Sequence, residues 1–286
     1  MAERYDPRVT AARPDLAARY LEGKVTATRF ADGVEREVLE PQAPVRATPA
    51  PDAPLVTEVL CGERVTVYET TDEGWSWGQL VSDGYVGWLP ANALGEQGAA
   101  PTHKVAALRT LVFPAPSIKH PALAGLPLGA RVAVQRVEAE FAVQKSGYVP
   151  ARHLASLDAS ERDFVAVAER FVGAPYLWGG KTSLGIDCSG LVQVSLTAAG
   201  IGCPRDSDMQ EEAIGSLIDA GHDFSRVRRG DLMFWKGHVA IVVDDKTIVH
   251  ANAFHMATVR ESLAEAVKRI RATGADVCSV KRIAGA

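Results

Sequence analysis

The chain has no apolar run approaching the roughly 18 residues that a membrane-spanning helix needs. Its opening stretch, MAERYDPRVTAARPDLAARY, has no apolar core of the kind a secretory signal carries, so a cytoplasmic protein without a membrane partner is expected. There is no excess of basic residues either. The formal net charge is −4 and the isoelectric point is about 6.0, which argues against nucleic acid as a partner. Cysteine is scarce: Cys61, Cys188, Cys203 and Cys278 are the only four in 286 residues. That is too few for a disulfide framework, and none forms a CxxC pair or a close-spaced Cys/His ligand set, so no metal and no cofactor is expected.

What remains is a chain of ordinary globular character. Its apolar fraction of 47% is enough for real cores, and its length suits two or three domains. Residues 1–40 are mixed, with a helical turn or two expected over Asp15–Leu21 and a strand over Lys24–Phe30. Pro41, Pro44, Pro49, Pro51 and Pro54 predict an extended lead-in without regular structure.

From Leu55 to Leu94 the pattern is one of short strands and tight turns. Arg64–Tyr68 and Gly74–Val81 alternate, Asp83-Gly84 is a hairpin signal, and Tyr85-Val86-Gly87-Trp88-Leu89-Pro90 closes the unit. This resembles a bacterial SH3-like barrel. Leu128–Val134 and Gly147-Tyr148-Val149-Pro150 echo the same plan, and a second such barrel is expected. Tyr85, Trp75, Trp77 and Trp88, taken singly, read first as barrel core.

At Ser160 the apolar period changes from two to 3.6. Ser160–Asp163 is read as a capping box, followed by Phe164, Val167, Ala168 and Phe171 on one helix face. Next comes Asp187-Cys188-Ser189-Gly190, opening an apolar run that Gly200 terminates. A helix apolar on most sides is buried. Cys188 therefore sits at the first turn of a buried helix, where unpaired N–H groups and the helix dipole favour a thiolate. A small core residue is an equal reading from the helix start alone. Ser207 or Asp208 is expected to cap a further helix running to about Ala220. Strands then follow at Gly230–Trp235, Gly237–Val243 and Thr247–Asn252, then a helix from Ser262 to Arg271 and a strand from Val277 to Ile283. A helix bearing a cysteine followed by an antiparallel sheet bearing histidines is the order of a papain-like α+β domain.

Of the seven histidines, only His238 and His250 fall in these strands. If residues 244–246 are the turn, Ala240 faces His250 and His238 faces Asn252. The two histidines then share a face as a diagonal pair, about 7–8 Å apart along the backbone. A two-residue turn would put them on opposite faces. On one face, His238 is the base for Cys188, giving a thiolate–imidazolium pair. His250 orients it, the Cys188 N–H lies near the oxyanion, and Tyr176 adds a donor.

Pro175–Gly180, Asp187–Gln193, Gly230–Leu232, Gly237–Ile241 and Val249–Ala251, in that order, resemble the NlpC-type cell-wall cysteine peptidases over residues 160–283. The resemblance implies a Cys188–His238–His250 triad. The whole arrangement also resembles a branch with two SH3-like domains ahead of the catalytic domain, the γ-D-glutamyl-L-diamino acid endopeptidases of murein-peptide recycling. The expected layout is therefore an N-terminal segment (1–40), SH3-like domains at 41–100 and 101–157, and the peptidase domain at 158–286. The implied substrates are murein-derived peptides beginning with a free L-Ala-γ-D-Glu. Asp187 and Ser189 would then line the site, Asp187 facing the substrate ammonium and Arg205 the free α-carboxylate of D-Glu. Ser207 would line the pocket and Tyr85 would wall its far end. A secreted wall endopeptidase, an amidase or acyltransferase, and a non-catalytic peptide-binding scaffold are alternatives on the same fold.

Overall fold

The computed structural model describes residues 5–284, and the chain divides into two compact units, residues 1–157 and 158–286. Residues 1–4 and 285–286, the outer ends of the first and last expected domains, lie outside the described residues. The division falls where the period of the apolar pattern changes.

The first unit is built on a seven-stranded antiparallel sheet of Val34–Val38, Gln42–Arg46, Leu55–Leu60, Arg64–Thr70, Trp75–Leu80, Val86–Pro90 and Leu94–Gly95. The Asp83-Gly84 signal is a hairpin: Trp77 pairs with Trp88 across it, and Gly84 takes a φ of 76° that a side chain would resist. The sheet begins before residue 40, and two local expectations change. Gln42–Arg46 is a strand despite Pro44. It pairs with Leu55–Leu60 along its length, and with Val86–Pro90 only at Arg46–Trp88, which leaves Pro44 outside that second ladder. Leu16–Ala18 is a strand rather than a helical turn and pairs in parallel with Arg29–Ala31; only Arg19–Leu21 is helical, as a 3₁₀ turn.

That N-terminal segment covers the sheet's tryptophans. Ala11, Leu16, Ala18 and Leu21 form one buried cluster with Trp77 and Trp88. The Arg13 guanidinium lies 4.4 Å from the Trp77 ring centre and 4.7 Å from that of Trp88, and pairs with Asp15 and Glu69. A separate core gathers Val38, Val45, Val59, Val65, Leu80, Tyr85 and Leu89.

Residues 103–156 form three small sheets around Val105, Val112, Leu126, Val132 and Val149. Their closing segment repeats that of the first sheet. Val86–Pro90 runs into a 3₁₀ turn at Ala91–Ala93 and a strand at Leu94, and Gly147–Pro150 runs into a 3₁₀ turn at Ala151–His153 and a strand at Leu154. The backbone angles match: φ −59° and ψ 125° at Pro90, φ −53° and ψ 118° at Pro150.

Among the described residues, the second unit holds four α-helices and a six-stranded antiparallel sheet. The helices are α1 (Phe164–Glu169), α2 (Cys188–Ala198), α3 (Ser207–Ala213) and α4 (Leu263–Arg271). In order across the sheet the strands are Ser216–Leu217, Val277–Arg282, Leu232–Trp235, His238–Val242, Thr247–Asn252 and Ala257–Ser262. Helix α4 covers a core of Met233, Trp235, Ala240, Val242, Ile248 and Val280. Helix α2 packs on the strands His238–Val242 and Thr247–Asn252.

Two helix boundaries differ from expectation. The cap of α1 is Asp163, whose carboxylate accepts from the N–H groups of Val165 and Ala166. Helix α3 starts after Asp206 and stops at Ala213. Gly215, at φ 65°, then turns the chain so that Ser216–Leu217 joins the sheet edge. Ser207 is thus the first residue of α3, half-buried, and not its cap.

Candidate active site

Cys188 is the first residue of α2 and is only 7% exposed. The helix forms here because Asp187, extended at φ −98° and ψ 177°, caps it by accepting from Gly190 N–H at 2.7 Å. Seven further residues of α2 are buried, from Ser189 to Gln193 together with Ser195 and Leu196, and Gly200 ends the turn at φ 79°.

Burial pushes the Cys188 thiol up to about 12, and the neighbouring Asp187 charge adds to the rise. The backbone N–H groups of Val239 and Ser189 act in the opposite direction, as does Arg205. The Val239 N–H places the sulfur beside the start of the strand that His238 opens. Burial thus acts against the thiolate that the helix start favours.

The histidine pair is positioned by its turn. Ile241 faces Val249, Val242 faces Ile248, and Val243 N–H donates to the Thr247 carbonyl, so the turn comprises residues 244–246. This is the register that puts both imidazoles on one face. His238 Nε2 lies 2.9 Å from His250 Nδ1, with ring centres 5.2 Å apart. Burial holds His238 down at about 3 and His250 at about 4, which favours the neutral rings.

The chain of contacts goes further than the two histidines. His250 Nε2 lies 2.9 Å from Glu261 Oε2, and Arg269 on α4 donates to both Glu261 oxygens, at 3.1 and 2.7 Å. Burial alone would raise Glu261, but hydrogen bonds from Arg269 and His250 hold it below the usual carboxylate range. Sequence reading missed Glu261. It belongs to the strand Ala257–Ser262, which faces Thr247–Asn252 with His250 opposite Val259, making Glu261 a diagonal neighbour of His250.

Asp187, Ser189 and Arg205 come together, but they face one another. Arg205 Nη2 lies 2.7 Å from Asp187 Oδ2, Arg205 Nη1 lies 2.9 Å from Oδ1, and Nη1 also donates to Ser189 Oγ at 2.8 Å. Asp187 Oδ2 accepts from Gly179 N–H as well. Arg205 is 1% exposed, so this is a buried ion pair and not a surface one. The cause is local: a carboxylate buried at the helix start is stable only when paired, and a guanidinium fork is the matching partner. Asp187 and Arg205 thus help to hold the nucleophile's helix.

Tyr176 is half-buried in the loop before α2. Burial first, then Cys188 and Asp187, push its hydroxyl above the ordinary range, so it stays a donor beside the thiol. Tyr85 is 5% exposed and packs into the core of the seven-stranded sheet. None of the four cysteines is in a disulfide.

Residues 173–272 match the NlpC/P60 family, and residues 45–94 match the bacterial dipeptidyl-peptidase SH3 domain. A γ-D-glutamyl-L-lysine dipeptidyl-peptidase of Bacillus subtilis is 28% identical over 262 residues, covering 81% of this chain and 82% of that protein. A protein of the same name from Bacillus cereus is 28% identical over 232 residues, covering 69% and 67% respectively. The crystal structure of an NlpC/P60 family protein from Bacillus cereus superposes with a TM-score of 0.72 at 19% identity, over 87% of this chain and 99% of that one; at that identity the likeness speaks for the fold.

Proposed function

Because its C-terminal unit belongs to the NlpC/P60 family of cysteine peptidases, with a bacterial SH3 domain in the unit ahead, we propose that this chain hydrolyses the bond between γ-D-glutamate and the diamino acid in short murein peptides that carry a free N-terminal L-Ala. The observation that carries this reading is the extent of the likeness to the γ-D-glutamyl-L-lysine dipeptidyl-peptidases. It runs through both units of the chain rather than stopping at the catalytic domain. We read residues 103–156, from their repeated closing turn, as a second SH3-like domain.

The chemistry starts from the neutral pair that burial favours. Cys188 attacks the γ-carbonyl carbon while its proton passes to the free ring nitrogen of His238. The oxyanion is met by the Cys188 N–H at the start of α2 and by the Tyr176 hydroxyl. Collapse breaks the amide bond, and the leaving amine of the diamino acid takes the proton from His238. Water, deprotonated in turn by His238, then hydrolyses the thioester and frees the γ-carboxylate. Ser207, first in α3, is proposed to line the substrate side. Turnover of peptides already released from the wall implies a cytoplasmic setting.

The test is hydrolysis of L-Ala-γ-D-Glu-diaminopimelate and its L-Lys counterpart, each beside its N-acetylated form, with Cys188→Ala as control. Cleavage of the free-amine peptides alone, lost in the variant, is the expected result. Equal cleavage of both forms would point instead to a wall endopeptidase, and cleavage of neither to an acyltransferase or scaffold.

A further inference from the structure

We infer that Glu261 is a positioning residue that fixes, through His250, which nitrogen of His238 serves as the base. The inference rests on the reading of His238 as the partner of Cys188. A carboxylate only accepts hydrogen bonds, so the His250 nitrogen 2.9 Å from Glu261 must carry the hydrogen. A neutral imidazole has one N–H, which leaves His250 Nδ1 as an acceptor. The 2.9 Å contact with His238 Nε2 then requires His238 to donate. His238 Nδ1 is left with its lone pair, and that is the nitrogen available to Cys188.

The two residues of the couple have separate tasks. Arg269 grips both oxygens of Glu261, so the acceptor keeps its orientation and its charge. Arg269 is itself held over the Phe254 ring, 4.4 Å from its centre. When His238 accepts the proton at Nδ1, the positive charge forms at one end of a hydrogen-bonded row whose other end is the Glu261 carboxylate. The charged and titratable groups that act on the two rings, besides each other, are Glu261, Arg269 and His255. The arrangement needs no movement: the acceptor order is set before substrate arrives.

The experiment uses two variants of the full chain. Glu261→Gln keeps the shape and one acceptor but loses the charge; Glu261→Met keeps neither. Histidine nitrogen shifts by NMR report the tautomers, and iodoacetamide labelling of Cys188, followed by peptide mass mapping, reports the base without any peptide substrate. The expected result is His238 protonated at Nε2 in the parent and in Glu261→Gln, with Nδ1–H appearing in Glu261→Met. Cys188 labelling should slow by roughly 100-fold in Glu261→Met, with an intermediate loss in Glu261→Gln. An unchanged His238 tautomer in Glu261→Met, or parental labelling rates in a folded Glu261→Gln, would overturn the inference. Should the parent label rapidly yet cleave no murein peptide, the substrate assignment fails while this inference stands.

Discussion

Arg205 and Asp187, the residue just before the nucleophile, form a buried, two-bonded ion pair, the arginine 1% and the aspartate 7% exposed. Removing one partner leaves the other charge buried and unpaired. Arg205→Ala is therefore expected to destabilise the catalytic unit by about 3–5 kcal/mol. An Arg205→Met/Asp187→Asn double variant, which keeps a cap and leaves no charge, should recover much of that loss. Urea titration of the three proteins checks this, and a double variant no more stable than Arg205→Ala would contradict it.

Gly190 gives a sharper test of the same cluster. In an ordinary helix, Gly→Ala is stabilising by roughly 1 kcal/mol. Here an added Cβ would fall on the Gly180 carbonyl oxygen and lie 2.9 Å from Asp187 Oδ1. Gly190→Ala is expected to reverse the usual sign and lower stability by about 1–3 kcal/mol, with loss of activity. A melting temperature at or above the parent's would show that the cluster yields without penalty.

These residues also mark what the sequence made legible. Cys188 at a buried helix start follows from the apolar run and Gly200, and the histidine pair follows once the turn is three residues long. Both signals are local. The Asp187–Arg205 pair joins residues separated by 18 positions, and only burial tells a buried ion pair from a surface one. Glu261 was hidden for a related reason: its strand carries no clear alternation, and its partner is reached diagonally across a ladder. The N-terminal segment was harder still, because alanine-rich sequence does not announce which surface it will cover.

That segment carries a prediction for the first unit. Leu16 is 0% exposed and packs with Trp77 and Trp88. Leu16→Ala should destabilise the unit by about 2–5 kcal/mol. Arg13→Ala should redshift tryptophan emission, since it uncovers both rings. Parental emission and melting in both variants would mean that the segment merely rests on the sheet.

The last expectation concerns pH. The base form of His238 is neutral, and burial holds the ring near 3, well below its ordinary 6.5, with His250 near 4. A lowered value keeps the base competent as pH falls, so kcat/KM should stay level from pH 7 to about 5, where an unperturbed histidine would already be largely protonated. Stability has the other sign. Below pH 6.5 the unfolded chain binds protons that the folded histidines refuse, so folding free energy declines as pH drops toward 4. Rates and melting temperatures measured on one pH series should therefore separate, with melting falling first. A kinetic limb centred at 6.5 would mean that the imidazoles meet solvent in the working enzyme.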